Sequence, residues 1–274
     1  MVYRSEGVYA SLRYEAYLTW NEGSHVLDIT AALDKAEVNV TKARYAAERR
    51  AQEGMPAILV QSLVDLQLSS RETVGSRLQQ QPALLAKLRE VSSSAVKTRS
   101  HLDEDLHALV VRYTFPLFGD GSIIDVFVTR ERSVPIRRYL PFAPSKDYTG
   151  VVIYAQGKYP SWGEPGVTRS VTPALFPRIY DTDMQLVVDL ARMDPVAVVE
   201  WGSVGYADTT DEVGYVERVG SDPLRVMARA VFGIASTDVV IPTKTARSLL
   251  VREGNRELLR AGRIVLIVDA QSSN

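Results

Sequence analysis

A glycine-rich segment, GKYPSWGEPG at residues 157–166, is the first candidate for phosphate chemistry. It follows the apolar run TGVVIYAQ, which predicts a strand. A P-loop needs four residues between its glycines and then Gly-Lys-Ser/Thr, and a dinucleotide fingerprint needs G-x-G-x-x-G opening a helix. Here Lys158 directly follows the first glycine, and Gly157, Gly163 and Gly166 fit neither spacing. The segment therefore favours a stiff loop between strands over a phosphate cradle.

Two aromatic residues of this loop, Tyr159 and Trp162, are candidates for contact with a protein partner. Aromatic side chains are common anchors at interfaces, but the same rings could fold back onto their own sheet, and the sequence leaves both arrangements open. Three further residues join this set as possible partner contacts: Arg137 and Arg138, in the stretch TRERSVPIRRYLPFAPSKDY, and Trp20, at the end of an amphipathic segment.

The histidines give little support for nucleophilic or metal chemistry. The chain has three, His25, His101 and His107, and it lacks a G-x-S-x-G nucleophile elbow. The segment HLDEDLH places His101, Asp103, Asp105 and His107 at alternate positions, which share one face of a strand. A metal cluster is therefore conceivable there, although LDED is more typical of a solvated turn. We predict no metal site.

Acidic residues of the second half could serve as ligands or acids. The segment DTDMQLVVDL begins like an EF-hand loop, but it lacks the third acid, the central glycine and the closing glutamate. A β-turn through Asp181 and Asp183 is the better interpretation. Glu200 beside Trp201 resembles a general acid next to an aromatic wall, yet no second acid lies at a recognisable spacing. We predict no catalytic residue and no cofactor.

Composition limits the remaining classes. The chain has 274 residues, a formal net charge of -1 and no cysteine, which excludes disulfides, thiolate chemistry and cysteine-based metal sites. The balanced charge argues against nucleic-acid binding, and no apolar run reaches the ~18 residues of a membrane span. MVYRSEGVYA lacks the features of a signal peptide. We therefore expect either a cytoplasmic protein or a mature exported form.

The strands that would position these residues begin early in the chain. Apolar residues alternate over 8–20, which is typical of a half-buried strand. NEG at 21–23 then predicts a turn into a second strand over about 25–33. Alternation returns over 109–117, which predicts a third strand in the first half.

Helical periodicity separates these strands. Apolar residues at three- and four-residue spacing over 41–66 predict a helix, with a kink or break at Gly54 and Pro56. Ser69 and Glu72 form a possible capping box for a short helix, and Pro82 suits the first position of another. The first half therefore runs strand–strand–helices–strand, and this order predicts an α+β domain.

The second half predicts a β-rich domain with one C-terminal helix and a final strand. Residues 129–148 combine prolines and charges with little periodicity, so they predict a linker between domains 1–128 and 149–274. Thr243 is a plausible N-cap for the helix and Gly262 its stop. The predicted strands are about 149–156, 175–181, 185–190, 203–207, 224–232, 238–241 and 263–269.

The first half also resembles a known family. KARYAAERRAQEGMPAILVQSLVDLQLSSRETVGSRL, followed by PALLAKLREVSSSAVKTRSHLDEDLHALVVRYTFPLFG, is similar to exported bacterial proteins of the flagellar FlgP type. The motifs YTGVVIYAQG, PALFPRIYD, RAVFG and TDVVIPTKTARSLL resemble the C-terminal part of related exported proteins. The resemblance implies an α+β core, a periplasmic or outer-membrane-associated location and oligomerisation around the flagellar motor. It brings no catalytic residue.

These observations favour a non-enzymatic structural or assembly protein of the bacterial envelope, with protein partners, a homo-oligomeric state and possible peripheral membrane association. The alternative is a periplasmic binding module for a small molecule, glycan or peptide. In that case Trp162, Trp201, Tyr206 and Tyr215 would line its pocket. A concave pocket would favour the alternative, and an exposed apolar patch would favour assembly. An enzyme built on Asp181, Asp183 and Glu200 ranks third.

Overall fold

The computed structural model describes residues 2–270, which divide into two compact units. The N-terminal unit comprises Val2–Leu66 and Val74–Phe127. The C-terminal unit comprises the chain from Val128 onward together with the short segment Gln67–Thr73. This segment therefore belongs to the C-terminal unit although the chain on both sides of it belongs to the N-terminal unit.

Strands and helices alternate along the chain up to residue 127, in agreement with the predicted mixed α+β class. The elements are β1 (Val2–Tyr9), β2 (Leu12–Thr19), β3 (Ser24–Ala32), α1 (Val40–Leu63), β4 (Gln67–Ser69), β5 (Glu72–Thr73), α2 (Val74–Gln80), α3 (Ala83–Glu90), β6 (Val96–Leu102), β7 (Ala108–Pro116) and α4 (Ile123–Phe127).

A five-stranded antiparallel sheet in the order β1-β2-β3-β7-β6 organises the N-terminal unit. Its inner face is apolar, because alternate residues of β2, β3 and β7 are buried. The outer face is only partly covered. There the Arg112 guanidinium donates to both carboxylate oxygens of Asp28, at 2.7 and 2.6 Å, and lies over the Tyr17 ring.

One side of helix α1 is buried, and this side includes Ala47, Ile58 and Leu59. Of the predicted kink or break at Gly54 and Pro56, the break is wrong, because one helix runs through both residues. A Cβ at residue 54 would lie 2.5 Å from the Leu12 Cδ1 atom. Glycine at this position therefore permits close packing against β2 and does not end the helix.

Two further predictions for the first half need correction. The segment 8–20 is not one strand, because the chain reverses after β1 through Ala10, whose φ of 52° is left-handed. Val8 pairs with Arg13 across this hairpin and is 59% exposed. The predicted capping box is also wrong, because Ser69 and Glu72 face each other as a pair in the β4–β5 hairpin.

The C-terminal unit continues the alternation with shorter elements. They are β8 (Val151–Tyr154), β9 (Tyr159–Pro160), β10 (Thr168–Arg169), β11 (Ile179–Asp181), β12 (Leu186–Val188), α5 (Pro195–Trp201), β13 (Gly205–Ala207), α6 (Val216–Val219), β14 (Leu224–Met227), β15 (Ala230–Phe232), β16 (Asp238–Ile241), α7 (Thr243–Val251), α8 (Glu253–Arg260) and β17 (Ile264–Ile267).

Two four-stranded sheets form this unit. One is parallel throughout, in the order β13-β17-β8-β14. Its strand β17 is buried at every position, as expected of a parallel strand covered on both faces. The other sheet has the order β12-β11-β16-β15 and mixes parallel with antiparallel pairs.

The predicted strand over 224–232 is two strands in different sheets. The chain leaves β14 and enters β15 within three residues, since the Ala228 amide donates to the Tyr154 carbonyl and the Arg229 amide to the Val240 carbonyl. The single C-terminal helix is likewise two helices, α7 and α8, because the backbone of Arg252 is extended between them. Helix α5 was not predicted, although Asp194 caps it and Pro195 begins it.

Candidate partner-binding hairpin

The segment Gly157–Gly166 and the residues after it form a β-hairpin. Strand β9 pairs with β10 in the register Tyr159 to Arg169 and Pro160 to Thr168. Beyond this pair the Ser161 amide donates to the Val167 carbonyl at 2.8 Å. The predicted stiff loop is therefore a turn closed by backbone hydrogen bonds.

The tip of the hairpin depends on glycine. Gly163 and Gly166 have φ values of 87° and 79°, a region that other residues rarely adopt. The amide of Glu164 donates to the Ser161 carbonyl, and the Glu164 side chain accepts from Arg169 at 2.7 Å. These bonds give the tip a hydrogen-bonded turn conformation, and a preordered turn loses less entropy when a partner binds.

The hairpin lies against β15 of the second sheet. The Trp162 amide donates to the Val231 carbonyl at 2.8 Å, and Ser161 forms a parallel bridge with Val231. The Arg169 guanidinium donates to the Ile234 carbonyl at 3.3 Å, just beyond the end of β15. Two hydrogen bonds therefore attach the hairpin to this region, one to β15 itself and one to the loop that follows it.

The side chains of Tyr159 and Trp162 lie in different environments. The Tyr159 hydroxyl donates to the Tyr154 carbonyl at 3.3 Å, and burial raises the pKa of this phenol above its usual value. Trp162 is 38% exposed. The Tyr159 side chain is thus bonded to β8 of the parallel sheet, and Trp162 is the more exposed of the two aromatic residues.

Trp162 has exposed apolar neighbours along the hairpin. Val167 is 37% exposed, and Ile234, on the adjoining loop, is 80% exposed. We call Trp162, Val167 and Ile234 the hairpin patch. A rigid patch with one aromatic anchor and aliphatic surroundings has the composition of a protein-contact surface.

The amide of the first glycine is already paired with a carboxylate of the same chain. The Gly157 amide donates to both carboxylate oxygens of Asp269, at 2.9 and 3.0 Å. A carboxylate therefore already occupies the position that an incoming anion would need. This contact supports the interpretation of residues 157–166 as a structural turn.

The other predicted contact residues lie in separate environments. Arg137 and Arg138 are exposed, in a segment anchored by the bond from the Tyr139 amide to the Leu250 carbonyl. Trp20 is only 6% exposed and belongs to the apolar core of the N-terminal unit. Its ring is therefore a packing group and not a free contact surface.

The acidic candidates are structural. One carboxylate oxygen of Asp181 accepts from the amides of Asp183 and Gln185, at 2.9 and 2.8 Å, which is the predicted β-turn. Glu200 is exposed on α5. Asp103 similarly accepts from the amides that follow its turn. Between residues 2 and 270 no group of three His, Cys, Asp or Glu side chains is arranged to hold a metal ion.

Of the four aromatic residues of the alternative pocket, Tyr206 and Tyr215 are buried, whereas Trp201 is half-buried. The Trp201 indole donates to the Ala261 carbonyl, and the Arg218 and Arg263 guanidinium groups lie over its ring. The Tyr206 hydroxyl is buried and bonded to both the carbonyl and the amide of Ala174. Tyr215 packs in the cluster with Val152. These three rings pack against or bond to groups of their own unit.

A buried carboxylate that sequence reasoning missed supports the loop beside the hairpin. Asp238 accepts from the Ser70 hydroxyl at 2.8 Å, from the Arg178 amide at 3.0 Å and from the Thr237 hydroxyl at 3.1 Å. Burial raises the pKa of Asp238 above its usual value. The Ser70 carbonyl in turn accepts from the Ala235 amide. Ser70 and Asp238 are far apart in sequence, so no local pattern could reveal this pair.

The observations define a two-unit α+β protein with a rigid, partly apolar hairpin. Two family models match it. The model described as Treponema pallidum Tp0624, N-terminal domain, matches residues 11–121, and the model described as Treponema pallidum Tp0624, second domain, matches residues 150–270. The chain is thus similar to two successive domains of that protein. Neither match concerns the FlgP type. No curated protein matches the chain.

Proposed function

We propose that this protein is a non-enzymatic assembly protein of the bacterial envelope that associates with further copies of itself and with other proteins through the hairpin patch. The observation that carries this proposal is the exposed Trp162 on a turn whose conformation is already fixed. Such a surface binds without first ordering a loop. The internal roles of Asp181, Trp201 and Tyr206 support a non-enzymatic protein.

The envelope location and flagellar association are further parts of the proposal. Similarity to two domains of a protein from Treponema pallidum supports a bacterial origin for this architecture. The resemblance of the first half to the FlgP type supports association with the flagellar motor, on the periplasmic side or at the outer membrane. None of the helices between residues 2 and 270 has the length and apolar character needed to cross a membrane.

The alternative, a binding module, has one observation in its favour. A cleft of about 240 Å³ in the N-terminal unit is lined by apolar groups such as Leu33, Val40 and Leu102 and by polar groups such as Asp34 and His107. Its volume lies below the range of about 300–1,000 Å³ that is typical of small-molecule sites. The cleft therefore supports this alternative less strongly than the hairpin patch supports assembly.

Light scattering on the purified full chain over a wide concentration range tests the proposal. We expect a mass above that of one chain, and a lower mass for the double variant Trp162→Ser/Ile234→Ser. Phe142→Ser is the matched control, because Phe142 is 91% exposed but lies outside the hairpin patch. A single-chain mass at every concentration would overturn the proposal, as would equal masses for the wild type and the patch variant.

A further inference from the structure

Strand β1 (Val2–Tyr9) is the end strand of the N-terminal sheet. It pairs with β2 along its whole length, and among residues 2–270 no strand lies along its other edge. Its last two residues, Val8 and Tyr9, are 59% and 41% exposed. An end strand carries a row of backbone donors and acceptors that can pair with another chain.

The sequence of β1 is self-complementary about Ser5. In an antiparallel pair of two copies centred on Ser5, Val2 meets Val8, Tyr3 meets Gly7 and Arg4 meets Glu6 of the second copy. Each pair joins two even-numbered or two odd-numbered residues. The buried faces of the two sheets therefore lie on the same side of the combined sheet. Two Arg–Glu contacts and two Val–Val contacts would form at once, because a twofold axis produces each contact twice.

Two glutamates at opposite positions within one copy give this arrangement further support. Glu6 is directly opposite Glu15 in the β1–β2 register, and like charges at opposite positions destabilise a sheet. Arg4 of a second copy would lie on the other side of Glu6. The glutamate would then have a cation as its neighbour across the new pair.

The opposite end of the sheet has features that prevent such pairing. Strand β6 carries Lys97, Arg99 and His101, and its register shifts between Lys97 and Arg99. Cationic side chains and bulges are the devices by which end strands avoid association. Two β6 strands would bring arginine and lysine groups together, whereas two β1 strands bring opposite charges together.

We infer that two copies of this chain dimerise by antiparallel pairing of their β1 strands, with the twofold axis at Ser5, so that the two five-stranded sheets become one. This inference rests on the proposed assembly function and identifies one of its interfaces. The hairpin patch, on the other unit, provides a second and separate contact. A protein with two different self-contacts can build assemblies larger than a dimer.

Charge exchange provides the first test. Glu6→Arg places two arginines opposite each other, and Arg4→Glu places two glutamates opposite each other. We expect each single variant to raise the dimer dissociation constant by about tenfold or more, since like charges at an interface are unfavourable. The double variant Arg4→Glu/Glu6→Arg restores opposite charges and should regain most of the affinity. Sedimentation of the full-length variants measures all three constants.

A cysteine at the axis provides the second test. The chain has no cysteine, so Ser5→Cys introduces a single thiol next to its own copy. Opposite residues of an antiparallel pair have Cα atoms about 4.5–5.5 Å apart, within the range of about 4.4–6.8 Å for disulfides. We expect rapid oxidation to a covalent dimer. Thr98→Cys, on the exposed strand β6, is the matched control and should remain mostly reduced.

Repeating both tests in the Trp162→Ser/Ile234→Ser background separates this inference from the proposed function. A residual dimer that Ser5→Cys cross-links supports β1 pairing independently of the patch. If the wild type assembles but Glu6→Arg and Arg4→Glu leave the dissociation constant unchanged, or if Thr98→Cys cross-links as fast as Ser5→Cys, the inference is overturned while assembly stands. A wild-type monomer at all concentrations overturns both.

Discussion

The two units use their sheets in contrasting ways. The N-terminal sheet is antiparallel and keeps one face partly exposed, so Tyr17, Asp28 and Arg112 form a polar outer surface. The parallel sheet of the C-terminal unit is buried at every residue of β17 and at three of the four residues of β8. A sheet with one open face tolerates small adjustments, whereas strands enclosed on both sides depend on close backbone packing. The contrast indicates where single substitutions should be most destabilising.

The largest effect is expected from a glycine next to backbone in the C-terminal unit. A Cβ at residue 150 would lie 2.6 Å from both the Cα and the carbonyl oxygen of Val219, and backbone cannot move aside cheaply. Gly150→Ala should lower the free energy of unfolding by about 3 kcal/mol. Gly54→Ala meets only side-chain atoms, of which the Leu12 Cδ1 atom is the nearest, and it gains helix propensity of about 1 kcal/mol, so its net effect should be small. Denaturant unfolding of both variants measures the difference, and equal losses would contradict the contrast.

A smaller, pH-dependent effect is expected in the N-terminal unit. His25 is fully buried, contacts the Ser62 hydroxyl at 3.0 Å and has its pKa lowered by burial to about 3. The unfolded chain binds a proton on this histidine below its usual pKa of about 6.5, and the folded chain does not. Stability should therefore fall as the pH is lowered from about 6.5 towards 3, by up to about 1.4 kcal/mol per pH unit.

Unfolding measured between pH 6.5 and 5, above the range where most carboxylates titrate, isolates the histidine. His25→Gln should flatten this pH dependence, whereas His107→Gln, at an exposed position, should retain it. A wild-type stability that does not change over this interval would show that His25 binds protons equally in the folded and unfolded chains, which would contradict the lowered pKa.

The smallest effect concerns the buried carboxylate near the hairpin. Ser70→Ala removes the hydroxyl that donates to Asp238 at 2.8 Å, but two other donors to this carboxylate remain. We expect a loss of about 1–2 kcal/mol in the free energy of unfolding. Ser69→Ala is the control, because its hydroxyl only accepts a long bond from the Arg71 amide at 3.4 Å. Equal losses for the two variants would contradict a role for the Ser70–Asp238 pair.

Sequence reasoning succeeded where a local pattern determines the structure. Alternation predicted β3 and β7 to within one or two residues, because one face of each strand is buried. It failed at Ala10, where the alternation continues through a turn that no glycine marks. The ends of the short parallel strands were predicted less accurately for a related reason. A strand that is buried on both faces has no alternating polar residues to mark where it begins and ends.

The candidate site was predictable only in part. The glycine and proline content of residues 157–166 predicted a stiff loop between strands, and Tyr159 and Trp162 were equal candidates for partner contact. Which aromatic residue turns inward depends on the Tyr159 hydroxyl reaching the Tyr154 carbonyl. Ile234 joins the patch through contacts with a segment 65 residues away. Such long-range contacts leave no periodic signal in the chain.

The segment Gln67–Thr73 has a consequence for synthesis on the ribosome. Its strand β4 accepts bonds from the Leu175 and Phe176 amides, through the carbonyls of Gln67 and Leu68. It emerges from the exit tunnel roughly a hundred residues before those partners. Since synthesis proceeds at about 5–20 residues per second, β4 lacks these partners for several seconds. The part of the messenger RNA that encodes residues 128 onward therefore does not encode the whole C-terminal unit. A gene split near codon 128 would separate it from a piece of its own architecture.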